Sequence, residues 1–296
     1  MSGASQRESW VRAMPVVFVL IWSTGFIVAR YAMPYSPPMT FLWVRYLLSI
    51  LAFWLWIRWA RVAWPQNRAQ WWHLGVTGVF MHAGYLSGVW VAVKAGMGSG
   101  LSALIVGFQP VLTAMWLSAQ GGQVTRRQWG GLLLGFVGLV LVVSRKLQDT
   151  LEVTAWTLSL AVLALFSITI GTLYQKRHVM PCDVRTANTV QLMAAALVTL
   201  PLVALESEAV QWHPSLFGAM AWSVLGMTLG GSSLLYMLIQ RGAAASVSSL
   251  MYLVPPCTAM LAWFLFDEPV TVTTWVGIVL TALGVSLVVR TPAPQR

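Results

Sequence analysis

Residues 37–61 read PPMTFLWVRYLLSILAFWLWIRWAR. Between Met39 and Ile57 the only charge is Arg45. A helix of this composition has no polar stripe to turn toward water, so it must be buried on all sides or sit in lipid. About 20 such residues cross the hydrocarbon core of a bilayer. Barrel strands would alternate with period two, and nothing in the chain does. The same kind of run recurs from end to end. Ten spanning helices are predicted, at 14–33, 37–59, 69–93, 97–119, 126–144, 153–175, 184–205, 213–239, 243–266 and 270–289. The predicted fold class is an all-α integral membrane protein.

Composition agrees. Of 296 residues, 58% are hydrophobic and 9% charged, with mean hydropathy +0.73. A soluble domain carries about 25% charged residues. So few charges cannot cover a water-facing surface. That excludes a soluble enzyme, a nucleic-acid-binding domain and a disordered chain. Cys182 and Cys257 are too few for a disulfide framework. The 17 Trp suit a protein with two lipid–water boundaries. The first run follows Arg7 and Arg12, as a signal peptide would. It ends Arg30-Tyr31-Ala32-Met33-Pro34 without a small-residue cleavage site and is too long for an h-region, so it reads as a retained helix.

The net charge of +10 is distributed as topology. Thirteen of the eighteen Lys and Arg fall on the side of the N-terminus: Arg7, Arg12, Arg58, Arg61, Arg68, Arg126, Arg127, Lys176, Arg177, Arg185, Arg241, Arg290 and Arg296. Four (Arg30, Lys94, Arg145 and Lys146) fall on the other, and Arg45 lies inside the second span. The positive-inside rule then puts both termini in the cytoplasm of a bacterial inner membrane.

The chain also resembles itself at an offset of 146 residues. Gly84 meets Gly230, Gly96 meets Gly242, Pro110 meets Pro256, Trp129 meets Trp275, and Gly131 and Gly138 meet Gly277 and Gly284. Residues 1–147 and 148–296 are therefore read as two five-helix repeats. An odd number of spans inverts the second, and inverted repeats are a transporter architecture with a central cavity between the halves. A scaffold or a membrane enzyme on the same frame is the bland alternative.

The end of the second half reads Pro255-Pro256-Cys257-Thr258-Ala259-Met260-Leu261-Ala262-Trp263-Phe264-Leu265-Phe266-Asp267-Glu268-Pro269, followed by Trp275-Val276-Gly277 and Leu283-Gly284. With Ile21-Trp22-Ser23-Thr24-Gly25 in the first span, this resembles EamA-type members of the drug/metabolite transporter (DMT) superfamily. Within it, Leu20-Ile21-Trp22-Ser23-Thr24 and the Trp-rich, carboxylate-free helices look most like YddG-type amino-acid exporters. The first half departs from the pattern, since Gly121-Gly122-Gln123-Val124-Thr125 holds no acidic-Pro turn.

The candidate chemistry is sparse. Pro110, and Pro255 with Pro256, lie mid-way along the fourth and ninth spans. An interior proline breaks a helix, and in lipid such breaks occur where helices pack or a cavity supplies partners. These prolines are read as gating breaks, with a packing kink as the alternative, and Gln109 as a neighbouring substrate contact. The stripes Gly131/Gly135/Gly138 and Gly277/Thr281/Gly284 are read as helix packing. His82 is the only mid-span imidazole, suited either to a neutral structural bond or to a substrate or proton role. Arg45 could bind a substrate carboxylate or serve as a structural charge bonded to nearby carbonyls. Asn188 and Gln191 give the seventh span a polar face. Trp22, Tyr85, Tyr174, Tyr236 and Tyr252, with Trp90 and Trp263, lie deep or flank the breaks. They are candidate cavity walls, each of which could equally be packing.

None of the eight acids falls within a span. Cation/proton exchangers need a counter-charge in the membrane, so the reading favours a small-metabolite exporter, with aromatic or apolar amino acids leading on resemblance. A multidrug or cation effluxer is the alternative, and a membrane enzyme lacks any nucleophile, metal site or acid/base pair. No cofactor, metal or nucleic acid is expected, and the protein is read as a monomer or weak dimer. A reporter fused after Arg296 tests the topology: a cytoplasmic reporter should be active there, and alkaline phosphatase activity from the same fusion would overturn it.

Overall fold

The computed structural model describes residues 3–97, 102, 105–121, 124–143, 154–241, 250–266 and 272–289. Among them every regular element is helical. In chain order these are α1 (Gly3–Ala32), α2 (Pro38–Ala60), α3 (Arg68–Gly78), a π-helical stretch Val79–Gly84, and α4 (Tyr85–Lys94). Then come α5 (Gln109–Ala119), α6 (Arg126–Val143), α7 (Ala155–His178) and α8 (Val184–Ala204). The rest are α9 (Pro214–Trp222), a second π-helical stretch Ser223–Ser232, α10 (Ser233–Arg241), a 3₁₀ turn Leu250–Leu253, α11 (Val254–Phe266) and α12 (Val272–Val289).

Among the described residues, five helices are long and apolar enough to cross a membrane: Pro38–Ala60, Arg68–Lys94, Ala155–His178, Val184–Ala204 and Pro214–Arg241. Of the other predicted spans, 14–33 falls on the 30-residue α1 and 126–144 and 270–289 on the 18-residue α6 and α12, while parts of 97–119 and 243–266 lie outside the described residues. The acidic-Pro turn Asp267–Pro269 and the Gly96-equivalent Gly242 lie outside the described residues.

Helix starts follow local chemistry. Pro38 opens α2 at the first helical position, where its missing N–H costs nothing. The Asn67 side chain accepts from the Ala69 N–H at 2.8 Å, and Thr154 and Thr157 form a reciprocal capping box on α7. Asp183 caps α8, accepting from the Arg185 N–H at 2.9 Å and from its guanidinium at 2.9 and 2.7 Å. Those guanidinium bonds hold the Asp183 carboxyl below the ordinary carboxylate range. Their contribution is present above about pH 4 and fades as pH falls further.

The offset of 146 carries Arg126–Val143 onto Val272–Val289, and these two mates pack most intimately of all. An added Cβ at Gly131 would lie 2.7 Å from the Gly284 carbonyl, and one at Gly138 would lie 2.6 Å from the Gly277 carbonyl. Gly284 in turn meets the backbone of Gly131 and Gly135. The glycine stripes are thus a backbone-to-backbone seam between α6 and α12, as the small-residue pattern predicts. A second pair of mates, α2 and α8, also packs together, as do α3 with α8 and α4 with α7. Gly78 sits against the Gln191 backbone, and Gly88 would place a Cβ 2.6 Å from the Leu160 carbonyl.

Gly284→Ala should force α6 and α12 apart and lower stability by about 1–3 kcal/mol, the usual cost of overpacking. Gly130→Ala, with nothing within 4 Å of its added methyl, should be neutral or slightly stabilising. Melting of the two variants in one detergent checks the contrast.

Candidate functional site

Both prolines stand beside real breaks, but in a different way from the sequence reading. Residues 107–108 form a turn, and α5 starts at Gln109 with Pro110 in its first turn. The 3₁₀ turn Leu250–Leu253 precedes α11, which puts Pro255 and Pro256 in the first turn as well. Neither is an interior proline. First-turn N–H groups have no intrahelical partner, so these prolines remove no bond. They start half-helices; they do not kink whole ones. Ser23 on α1 lies against the second break: its carbonyl accepts from Thr258 Oγ1 at 3.0 Å, and its Oγ, which donates to the Val19 carbonyl at 2.6 Å, shares that donor with the Val254 carbonyl at 3.3 Å.

The main irregularity is elsewhere. Val79–Gly84 and Ser223–Ser232 are π-helical and occupy repeat-equivalent places, with Gly84 and Gly230 as mates. π-Turns are rare and concentrate at functional sites. Sequence reasoning missed both, because a widened turn has no residue signature of its own.

Adjacent residues of α2 hold one π-stretch each. Tyr46 Oη donates to the His82 carbonyl at 2.8 Å. Arg45 Nε donates to Thr228 Oγ1 at 2.9 Å. Thr228 itself donates back to the Ser223 carbonyl five residues earlier, at 2.9 Å. A small cavity of about 30 Å³ lies at this junction, lined by Trp22, Arg45, His82, Tyr85, Met227 and Ser232 among others. That is room for about two waters. Trp22 and Tyr85 stack at 6.4 Å with planes 7° apart, and Phe41 stacks on Trp90 just beyond, at 4.9 Å.

Arg45 is 2% exposed. Its Nη1 has no hydrogen-bond partner, and no carboxylate pairs with it among the described residues. An unpaired charge in a bilayer costs about 2.5–3.5 kcal/mol on insertion scales. Its bond goes to a hydroxyl of the second π-stretch and not to a carbonyl freed by a proline. The head group sits at the cavity with donors to spare.

Five of the sequence candidates, Trp22, Arg45, His82, Tyr85 and Trp90, thus come together. Gln191 reaches the His82 imidazole with its side chain, and the others do not join them. Gln109 Nε2 donates to Thr172 Oγ1 at 3.3 Å, with its Oε1 unpartnered. Asn188 Nδ2 donates to the Val184 carbonyl at 2.9 Å, and Gln191 Nε2 to Gln175 Oε1 at 3.2 Å. Tyr236 Oη lies 3.2 Å from Cys182 Sγ in a separate cluster. The Tyr252 ring fills the gap over Gly135 on the α6 seam, and Trp263 is half-exposed. Tyr174 Oη meets His73 Nδ1 at 2.7 Å and stacks on His178 at 4.4 Å. It borders a groove of about 660 Å³ between α5 and α7. The groove wall is apolar, and Met115, Trp116 and Phe166 on it are half-exposed, as suits a surface that faces lipid.

At the far end of the bundle, Glu206 accepts three bonds: from the Met39 N–H at 2.8 Å, the Thr40 N–H at 2.7 Å and Thr40 Oγ1 at 2.7 Å. It neutralises the positive N-terminus of α2. Lys94 pairs with Glu208 at 2.7 Å and also donates to the Met33 carbonyl at 3.1 Å. The Tyr35 carbonyl accepts from the Gln211 N–H at 2.8 Å. Apart from the Lys94–Met33 bond, these contacts join residues below 100 to residues above 200, which makes this end a seam between the halves.

The model of the EamA-like transporter family matches residues 11–144 and again 155–290. An uncharacterized transporter of Archaeoglobus fulgidus is 23% identical over 91% of this chain and 93% of its own length. The uncharacterized inner membrane transporter YedA of Escherichia coli K12 is 24% identical, over 91% and 87%. YvbV, an uncharacterized transporter of Bacillus subtilis, is also 24% identical, over 91% and 88%. A crystal structure superposes with TM-score 0.76 at 16% identity, covering 93% of this chain and 95% of that one, which shows a shared fold.

Glu206→Ala should cost about 1.5–3 kcal/mol, because three charge-assisted bonds are lost at a helix terminus. Glu206→Gln, which still accepts, should recover part of it. Thermal melts of the two variants read the difference.

Proposed function

The chain belongs to the EamA-like transporter family, and from that premise we propose that this multi-pass membrane transporter exports amino acids with aromatic or apolar side chains. In this reading residues 1–147 and 148–296 are inverted halves of a ten-span bundle, with both termini in the cytoplasm of a bacterial inner membrane. The halves alternate access to the Arg45 cavity, and the protein works as a monomer or weak dimer.

One observation carries the substrate assignment. A buried guanidinium with an unpartnered Nη1 stands against stacked Trp22 and Tyr85 in a cavity without an acid. A carboxylate would complete Arg45 with paired, charge-assisted bonds. An aromatic or aliphatic side chain would lie along the rings, the usual division of labour in a small-molecule site. The same positive charge repels a cation, so a multidrug-cation effluxer is the weaker reading.

At about 30 Å³ the cavity is too small for an amino acid, so transport requires it to widen. The π-stretches and the half-helix starts at Gln109 and Val254 are where the backbone can yield. Gln109, Asn188, Gln191, Tyr236 and Tyr252 would bear on substrate only in a state opened further than this one.

Proteoliposomes loaded with a labelled amino-acid panel test the reading. Aromatic and large apolar members should exchange fastest, their amides should not, and Arg45→Gln should abolish exchange while the protein stays folded. If cationic drugs move and amino acids do not, the reading is wrong. In the same vesicles, a pH-gradient dependence that disappears in His82→Gln would assign proton coupling to that imidazole. Gradient-driven accumulation persisting in His82→Gln would remove it from coupling.

A further inference from the structure

We propose that Arg45 holds a small monovalent anion of halide size in its cavity whenever no substrate is bound. The guanidinium is 2% exposed and makes one bond, to the neutral hydroxyl of Thr228. A hydroxyl satisfies a donor but supplies no opposing charge. In a low-dielectric surround a buried cation persists only with a counter-charge nearby. No acid lies in any predicted span to provide one. Nη1 is unpartnered, and the guanidinium borders a cavity of about 30 Å³. That volume suits a single ion and excludes an amino acid.

The wall narrows the class further. Trp22, Tyr85, Met81 and Met227 are apolar and polarisable. Such a wall penalises a strongly hydrated dianion such as sulfate and tolerates a weakly hydrated halide. Thr228 belongs to the second π-stretch and Arg45 to α2, so the ion would sit where the two halves meet. The same monovalent chemistry is offered by the carboxylate of a transported acid. On the proposed function, carboxylate and halide would exchange at Arg45, keeping the guanidinium paired through the cycle. Binding of the ion itself does not depend on that reading.

The test uses the full-length protein purified in detergent with gluconate as the only anion. Its Tm is followed while chloride, bromide or sulfate is added at constant ionic strength. Chloride and bromide should raise Tm in a saturable way, by mass action on the folded state, and sulfate should not. Arg45→Gln should lose the halide response. Should that variant fail to fold, Thr228→Ala keeps the charge and removes its anchor. It should raise the half-saturating halide concentration by roughly tenfold, the equivalent of one hydrogen bond. Equal responses to all salts would overturn the proposal, as would an unchanged halide response in Arg45→Gln or Thr228→Ala. So would stabilisation by tryptophan without any by halide, which would leave the amino-acid reading standing. Halide binding that no amino acid displaces would keep the ion site and remove the amino-acid reading instead.

Discussion

Hydrocarbon offers no hydrogen bonds, so each backbone group inside a bilayer must find its partner within the protein. That constraint explains why the described chain is helical throughout, and also where it departs from the α-helix. The irregular backbone at 107–108, at Leu250–Leu253 and in the two π-stretches is buried among other helices. Side chains serve three of these stretches: Tyr46 at the His82 carbonyl, Ser23 at Val254, and Thr228, from within its own stretch, at the Ser223 carbonyl. With apolar lipid on the outside, helix association cannot rely on the hydrophobic effect and instead needs close van der Waals fit. The α6–α12 seam meets that need with glycines that bring the two backbones together.

Arg45 is the point where these demands conflict. A charge in the membrane is costly, and its cheapest partner, a carboxylate, is absent among the described residues. The protein instead fixes one donor on Thr228 and leaves another at a cavity edged by stacked rings. Because Arg45 and Tyr46 are neighbours on α2, one helix is tied to both π-stretches, one in each half of the chain. Movement of either half would be felt at the guanidinium. The seam of Glu206, Glu208 and Lys94 joins the halves at one end of the bundle at the same time.

Much of this was legible beforehand, and the reason is chemical repetition. Long apolar runs, basic residues crowded into alternate loops and glycines at fixed spacing each leave a direct mark on composition. Trp22, Arg45, His82 and Tyr85 could be nominated because polar or aromatic residues deep in apolar runs are few. Tyr174, Tyr236 and Tyr252 met the same criterion and lie elsewhere, since depth in a helix says nothing of which face it turns inward. The prolines show a subtler limit. Their positions marked true breaks, but a proline that starts a half-helix and one that kinks a whole helix look alike in sequence.

The amino-acid sequence by itself determined the solvent, the helical class, the family and the absence of any acid to neutralise Arg45. These follow from residue identity and spacing along the chain. The tertiary structure alone decided that Arg45 meets Thr228, 183 residues away, that the π-turns fall in matching places, and that five of the candidates share one cavity. Those facts depend on which helix faces pack together. Packing is settled by the fit of whole surfaces across long stretches of chain, and no local pattern carries that information.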